Sequence, residues 1–263
     1  MSFFSIERAS VEFRGLRAVA NVSLEIGQGE IHGLIGPNGA GKTSLINAVS
    51  GLVPLAGGRI RLDGAELQHL AAHRIAERGV GRTFQHAETF PDCSVLENVM
   101  AGGYAHRRSG LIDDLLGTPR RAAAERQAEA EAMAMLAEFG LAHLRGADAG
   151  DLPFGTLKKI DLARALMARP RVLMLDEPTS GMNDVEAKEV IDACRRIAGG
   201  LGVTLLVIEH NMRVIMGLAE TIHVLDHGEK IAEGSPAEVQ ANPAVIEAYL
   251  GRRAAPGPEP RHA

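Results

Sequence analysis

Apolar and polar positions alternate with a period of two along the first third of the chain. The pattern predicts short strands over residues 5–13, 22–26 and 31–35, with Gly27-Gln28-Gly29 turning between the last two. After Gly41 the spacing becomes helical. Residues 42–50 place Leu45, Ile46 and Val49 on one face, and Gly51 stands where a helix C-cap is expected. Residues 59–62 before Asp63-Gly64 predict another strand and turn, 71–78 a helix, and 80–84 the next strand.

The middle of the chain has a different texture. Residues 94–100 and 119–139 are rich in Ala, Glu and Arg, with apolar residues at helical spacing late in the second stretch. Residues 102–118 form a long connection whose basic knot, His106-Arg107-Arg108, reads as a solvated surface. Helical spacing returns over 156–168. The last third then alternates: strands at 172–175, 204–208 and 221–225, helices at 185–198 and 212–218. Apolar strands alternating with helices imply an α/β fold with a mostly parallel sheet covered on both faces. Ser235-Pro236-Ala237-Glu238 is a capping box opening a short helix, and Asn242-Pro243 opens the last one. From Arg252 onward the Pro- and Gly-containing tail has little to bury and is expected to be disordered. The chain carries no internal repeat.

Composition narrows the function classes. The 263 residues suit one medium domain or one domain with an inserted subdomain. With 46% hydrophobic and 23% charged residues the chain is neither disordered nor collagen-like. A net charge of −5 argues against a non-specific nucleic-acid binder, and 3% aromatics with no Trp argues against base-stacking surfaces. Cys93 and Cys194 are too few for a disulfide framework and fit a reducing compartment. No stretch approaches the roughly 18–20 apolar residues needed to cross a bilayer. The first residues, Met-Ser-Phe-Phe-Ser-Ile-Glu-Arg, lack the basic-then-apolar order of a secretory signal. A cytoplasmic chain is expected, with any membrane role exercised through a partner.

Gly36-Pro37-Asn38-Gly39-Ala40-Gly41-Lys42-Thr43 matches G-x-x-x-x-G-K-[ST] in full. Glycines let successive backbone N–H groups face inward around phosphates, and the helix that follows points its positive end at them. Lys42 suits the β- and γ-phosphates, and the Thr43 hydroxyl suits Mg²⁺. A chance match arises in roughly one chain of this composition in a few hundred. The preceding apolar strand and following helix supply the context the motif requires.

The apolar strand 172–175 runs into Asp176 and Glu177. Side chains alternate along a strand, so the two carboxylates need not share a face. Asp176 suits the metal through water, and Glu177 could orient or deprotonate an attacking water. A solvated strand end is the bland alternative, and the phosphate loop weighs against it. His210 follows the strand 204–208 by two residues, where parallel sheets collect ligand-binding groups. On spacing alone such a histidine is more often a surface or capping residue.

Together these motifs resemble the ATP-binding subunit of an ATP-binding-cassette (ABC) transporter, over roughly residues 6–251. The resemblance implies a P-loop NTPase core with a mostly parallel sheet, an N-terminal antiparallel β-subdomain and an inserted helical subdomain. It divides the chain into a core with β-subdomain (1–90 and 165–251), a helical subdomain (91–164) and a disordered tail (252–263). It implies ATP and Mg²⁺ as cofactors. Gln85 falls at the Q-loop glutamine, a Mg²⁺ contact that reports nucleotide state to membrane subunits. Ser180-Gly181-Met182-Asn183 falls at the D-loop, His210 at the γ-phosphate switch histidine, and Phe13 at the aromatic that stacks on adenine. The nucleotide contacts implied are Phe13, Gly36, Pro37, Asn38, Gly39, Ala40, Gly41, Lys42, Thr43, Ser44 and Gly155. Glu177, His210 and Gln85 are the implied catalytic residues, and Thr43, Gln85 and Asp176 the metal contacts.

The family signature, usually Leu-Ser-Gly-Gly-Gln, is here Leu152-Pro153-Phe154-Gly155-Thr156. Only Leu152 and Gly155 match. Pro153 offers a γ-phosphate neither hydroxyl nor N–H. The Gly155 amide and the N-terminal end of the following helix remain as an anion site. The branched-chain amino-acid uptake branch tolerates similar variants. The stretch 110–121, leading into a long acidic and basic helix, is similar to its enlarged helical subdomain, and 242–251 to its C-terminal ending. Urea and short-amide uptake systems share both features.

The resemblance therefore implies an ATPase of an importer for branched-chain or related hydrophobic amino acids. Its partners would be membrane permease subunits, a second ATP-binding subunit closing head to tail, and indirectly a substrate-binding protein. It would sit on the inner face of the cell membrane. A non-transport ABC ATPase usually carries two cassettes or a long coiled coil, and this chain has one cassette without sustained heptads. A catalytically silent assembly subunit rests on the altered signature alone. A GTPase or P-loop kinase lacks support: there is no Asn-Lys-x-Asp and no Arg-rich lid.

Overall fold

The computed structural model describes residues 2–85, 87–104 and 119–250. The basic knot at 106–108, most of the 102–118 connection and the tail from 252 lie outside the described residues.

The chain opens with β1 (Phe4–Phe13) and β2 (Leu16–Ile26), an antiparallel pair. β2 begins six residues before the expected start at 22. The register shows why: Ala9 faces Val22 but Val11 faces Val19, so β2 carries an extra residue where Asn21 has φ 52°. A bulge of this kind breaks the period-two pattern that would otherwise reveal the strand. β3 (Ile31–Ile35) is wholly buried and leads into α1 (Lys42–Val49). β4 (Gly57–Leu62) and β5 (Ala65–Glu66) complete an antiparallel sheet of order β2-β1-β4-β5.

After α2 (Ala72–Glu77), β6 (Val80–Arg82) ends two residues short of expectation. Thr83 still donates its N–H to the Met174 carbonyl at 2.9 Å, but the Phe84 carbonyl turns to the Lys158 ammonium at 3.3 Å. α3 (Val95–Gly102), opened by a Ser94–Glu97 capping box, and α4 (Pro119–Glu138) pack on α5 (Phe154–Met167). α5 starts two residues earlier than its pattern suggested. Pro153 sits at the N-cap, where its missing N–H costs nothing, and its carbonyl accepts from Thr156 and Leu157 at 2.9 and 3.1 Å.

β7 (Val172–Asp176), α6 (Asp184–Leu201), β8 (Thr204–Ile208), α7 (Met212–Leu218) and β9 (Thr221–Asp226) follow in alternation. α6 passes through Gly199-Gly200 and stops only at Gly202, at φ 64°. β10 (Glu229–Gly234) was not expected. It returns antiparallel beside β9 through a tight turn at His227 and Gly228, both at positive φ, and its charged residues gave no strand signal. α8 (Pro236–Ala241), opened by the expected Ser235–Glu238 box, and α9 (Pro243–Leu250) end the described chain.

The second sheet has the order β10-β9-β3-β8-β7-β6, parallel except for β10. Its residues alternate between two cores. Leu173, Leu175, Leu205 and Val207 pack with Ile160 of α5 and Val190 of α6. Val172, Met174, Leu206 and Ile208 pack with Leu45 of α1 and with Phe4, Ile6 and Leu24 of the antiparallel sheet. Strand geometry alone produces this division. Within the sheet, His32 Nδ1 lies 2.9 Å from His223 Nε2, and both side chains are buried.

Candidate functional site

Four neighbouring parallel strands, β3, β8, β7 and β6, end on the same edge of the sheet, and the residues singled out in the sequence follow those ends. Such an edge collects loops while helices cover both faces.

At the end of β3 the chain turns sharply through Gly36, with φ 151°, Gly39 at 81° and Gly41 at 97°. Space is as decisive as torsion here. A Cβ on Gly36 would stand 2.1 Å from the Leu225 carbonyl oxygen, and one on Gly41 2.4 Å from that of Ala18 in β2. The loop closes on itself: the Lys42 ammonium donates to the Gly36 and Pro37 carbonyls at 2.6 and 2.9 Å. Burial lowers the Lys42 pKa, while Glu177 and Asp176 oppose that shift. No side chain caps α1, so its first amides have no competing carboxylate or hydroxyl. Thr43 is exposed and Ser44 half-buried in its first turn.

Asp176 and Glu177 part company at the end of β7. Asp176 is buried, and its Oδ2 accepts from Arg82 Nη2 at 2.9 Å, while Arg82 Nη1 reaches Asn47 Oδ1 of α1 at 2.6 Å. Glu177 has φ 50°, a left-handed backbone that costs about 1–3 kcal/mol for a non-glycine residue. Hydrogen bonds on both sides hold it there: its N–H donates to the Ile208 carbonyl at 2.9 Å, and its carbonyl accepts from Ser180 at 3.2 Å. The carboxylate meets Gln85, whose Nε2 donates to Oε2 at 3.0 Å, and His210, whose Nδ1 lies 3.6 Å from Oε1. Residues 85, 177 and 210, far apart in sequence, therefore converge on one carboxylate.

Gly155 and Phe13 stand elsewhere. Gly155 is buried in the first turn of α5, where an added Cβ would touch the Glu186 carboxylate at 3.0 Å, and the Phe154 ring covers Gly181. No side chain caps this helix end. Phe13 is 43% exposed at the end of β1, in the hairpin whose second strand carries Ala18 to the edge of the phosphate loop.

Three residues went unnoticed in the sequence. Arg82 holds Asp176. Lys158 donates to the Phe84 and Gln85 carbonyls. Glu209 is buried and accepts from the Thr179 N–H at 3.0 Å, the Thr179 hydroxyl, and the His210 and Asn211 N–H groups at 3.2 and 3.3 Å. It thereby fastens the loop after β7 to the loop after β8. A charged residue directly before His210 was the only available signal for it.

Comparison with known proteins identifies the family. A model of the ABC transporter family matches residues 19–180, and one described as branched-chain amino acid ATP-binding cassette transporter matches 229–255. The chain is 38% identical, over 92% of its length and 95% of the relative, to the high-affinity branched-chain amino acid transport ATP-binding protein BraF of Pseudomonas aeruginosa. It is 38% identical to LivG of Escherichia coli, a protein of the same description, over 94% and 97%. The E. coli lipopolysaccharide export system ATP-binding protein LptB is 34% identical over 95% and 98%. A nucleotide-free ATP-binding cassette from an ABC transporter superposes with a TM-score of 0.82 at 27% identity, covering 95% of this chain and all of that one. Phosphate loop, sheet order and overall likeness thus agree, and the chain belongs to the ABC transporter family as an ATP-hydrolysing, ATP-binding subunit.

Proposed function

We propose that this subunit powers uptake of branched-chain or related hydrophobic amino acids, working with membrane permeases and a second cassette on the inner face of the membrane. The observation that carries the substrate class is the 38% identity, nearly end to end, to two proteins named for high-affinity branched-chain amino acid transport. The match at 229–255 supports the same branch. Among the described residues no helix is long and apolar enough to cross a membrane.

In this reading the amides of 36–41 and the Lys42 ammonium bind the phosphates of ATP, with Thr43 and Ser44 extending the contacts along α1. Phe13 contributes a flat apolar surface for the base. Glu177 accepts a proton from the attacking water, Gln85 holds that carboxylate in place, and His210 contacts the γ-phosphate. The Gly155 end of α5 lies against its own α6 rather than its own phosphate loop, and this supports a head-to-tail pair in which each Gly155 amide serves the other chain's nucleotide. Binding then favours closure and hydrolysis reopening, because closure is stabilised only by the intact triphosphate.

The oxygens that would face Mg²⁺ are the Thr43 hydroxyl, the Gln85 amide oxygen and, through water, the Asp176 carboxylate, whose Oδ2 is already engaged by Arg82. A single carboxylate fits an ion that takes its other oxygens from phosphate and water. When bound, the ion neutralises charge on the β- and γ-phosphates.

Two measurements test the proposal. Glu177→Gln should bind ATP with affinity close to normal and hydrolyse it about a hundredfold more slowly or worse, persisting as a closed dimer. Turnover near normal removes Glu177 from this role. Cells lacking the chain should lose uptake of labelled leucine. Loss of labelled urea or short-amide uptake with leucine uptake intact overturns the substrate class and favours that sister branch.

A further inference from the structure

Lys158 lies in the second turn of α5, directly after the segment 152–156, and is buried. A buried ammonium is expensive to keep charged, and burial lowers its pKa. A leucine would fill the space without that cost. What the lysine contributes is a set of hydrogen bonds: its Nζ donates to the carbonyls of two successive residues, Phe84 at 3.3 Å and Gln85. Gln85 is the residue whose side chain meets Glu177.

The same stripe of α5 grips this segment a second time. Asp161 pairs with Arg164 at 2.6 Å, and the Arg164 guanidinium stands 5.6 Å from the centre of the Phe90 ring. From the other side, buried Asn98 of α3 accepts the Phe90 N–H at 2.7 Å and donates to its carbonyl at 2.9 Å. Phe84, Gln85 and Phe90 are therefore fastened to the helices by side chains, with Lys158 at the end nearest the carboxylate.

We propose that Lys158 is a positioning residue for hydrolysis: it ties α5 to the backbone of Gln85, so that the Gln85 amide meets Glu177 and displacement of α5 carries that amide with it. The inference rests on the reading of Glu177 and Gln85 as hydrolytic residues. It predicts that Lys158 acts through Gln85 and not through nucleotide affinity.

The test is a set of steady-state ATPase measurements on the full-length purified chain with Mg²⁺. Lys158→Met should lower kcat about tenfold while KM for ATP stays within about twofold. Lys158→Arg, which can reach the same carbonyls, should recover most of the rate. The double variant Lys158→Met with Gln85→Ala should be no slower than Gln85→Ala alone, since both remove the same interaction. An unchanged kcat, a multiplicative double variant, or an arginine variant as slow as the methionine one overturns the proposal. If Lys158→Met does not fold, Lys158→Gln takes its place in the cycle with the same outcomes. Glu177→Gln, run in parallel, separates the two ideas. Retained turnover there sinks the hydrolytic reading, whereas abolished turnover with a normal Lys158→Met rate sinks the positioning role alone.

Discussion

Arg82 Nη2 and Asp176 Oδ2 lie 2.9 Å apart with both side chains about nine-tenths covered, so the carboxylate at the end of β7 is neutralised from within the fold. Removing one member of such a pair leaves the other charged, buried and unpaired. Arg82→Ala is therefore expected to lower stability by about 3–5 kcal/mol. Urea unfolding measures it, and Arg82→Ala combined with Asp176→Ala should lose less than the sum of the two. A loss below about 1 kcal/mol in the single variant would place the pair among ordinary surface bridges.

Gly41 has a positive φ and no room: an added Cβ would meet the Ala18 carbonyl at 2.4 Å. Gly41→Ala should therefore cost several kcal/mol, about 1–2 from torsion and the rest from the clash. Because the same displacement moves the amides of 36–41, calorimetry should also find ATP affinity reduced at least about tenfold. Gly57→Ala is the control, since no atom lies within 4 Å of its added Cβ and its φ is not in the positive region.

Glu209 ties Thr179 to His210 and Asn211 through a carboxylate that four donors share. Glu209→Ala leaves those donors without their acceptor and is expected to destabilise the protein by about 2–4 kcal/mol. Turnover should fall more than nucleotide affinity does, since the loop bearing His210 loses its anchor and residues 36–44 keep theirs. Parallel binding and phosphate-release assays decide between this and a uniform loss.

His223 is fully buried between His32 and Glu233, and burial lowers its pKa from 6.5 to about 4, with His32 and Lys230 adding to the shift and Glu233 opposing it. A base with a depressed folded pKa is held neutral by the fold. Stability is thus complete above pH 6.5 and falls as the pH drops toward 4, where the unfolded chain takes up a proton that the folded one refuses. The contribution is on the order of 3 kcal/mol over that window. Melting temperature against pH should decline between 6.5 and 5, ahead of the carboxylates Glu30 and Glu233, whose pKa values are lowered. His223→Leu should flatten that part of the curve.

What could be read in the sequence was what short-range order encodes. The strands 31–35 and 204–208 and the loop 36–43 declare themselves through contiguous residues, as did the capping box at Ser235. Asp176 and Glu177 were singled out by their place at a strand end, whereas His210 needed the family resemblance, since its spacing alone favoured a surface or capping role. Long-range pairing was silent. Arg82 finds Asp176, and Lys158 finds Gln85, across more than seventy residues, and neither partner advertises the other. Local irregularity was silent for a different reason: the bulge at Asn21 hides half of β2 by shifting the phase of its own pattern. The early start of α5 was masked by Pro153, a residue more often read as an interruption than as the first step of a helix.

The place of β8 bears on how the protein is made. β8 lies between β3 and β7, two strands that are synthesised before it and are not paired with each other in the sheet. Until residue 208 has been synthesised the two halves of the sheet have no common neighbouring strand, and the loops after β3 and β7 are linked only through α1, by the packing of Leu45 and the Arg82 bonds to Asn47 and Asp176. A nascent chain that ends between residues 178 and 203 carries every residue of the phosphate loop and both carboxylates, yet lacks the strand that lies between them in the sheet. Affinity for nucleotide should rise late during translation, and chains truncated before β8 should bind ATP more weakly than the full chain although their motifs are complete.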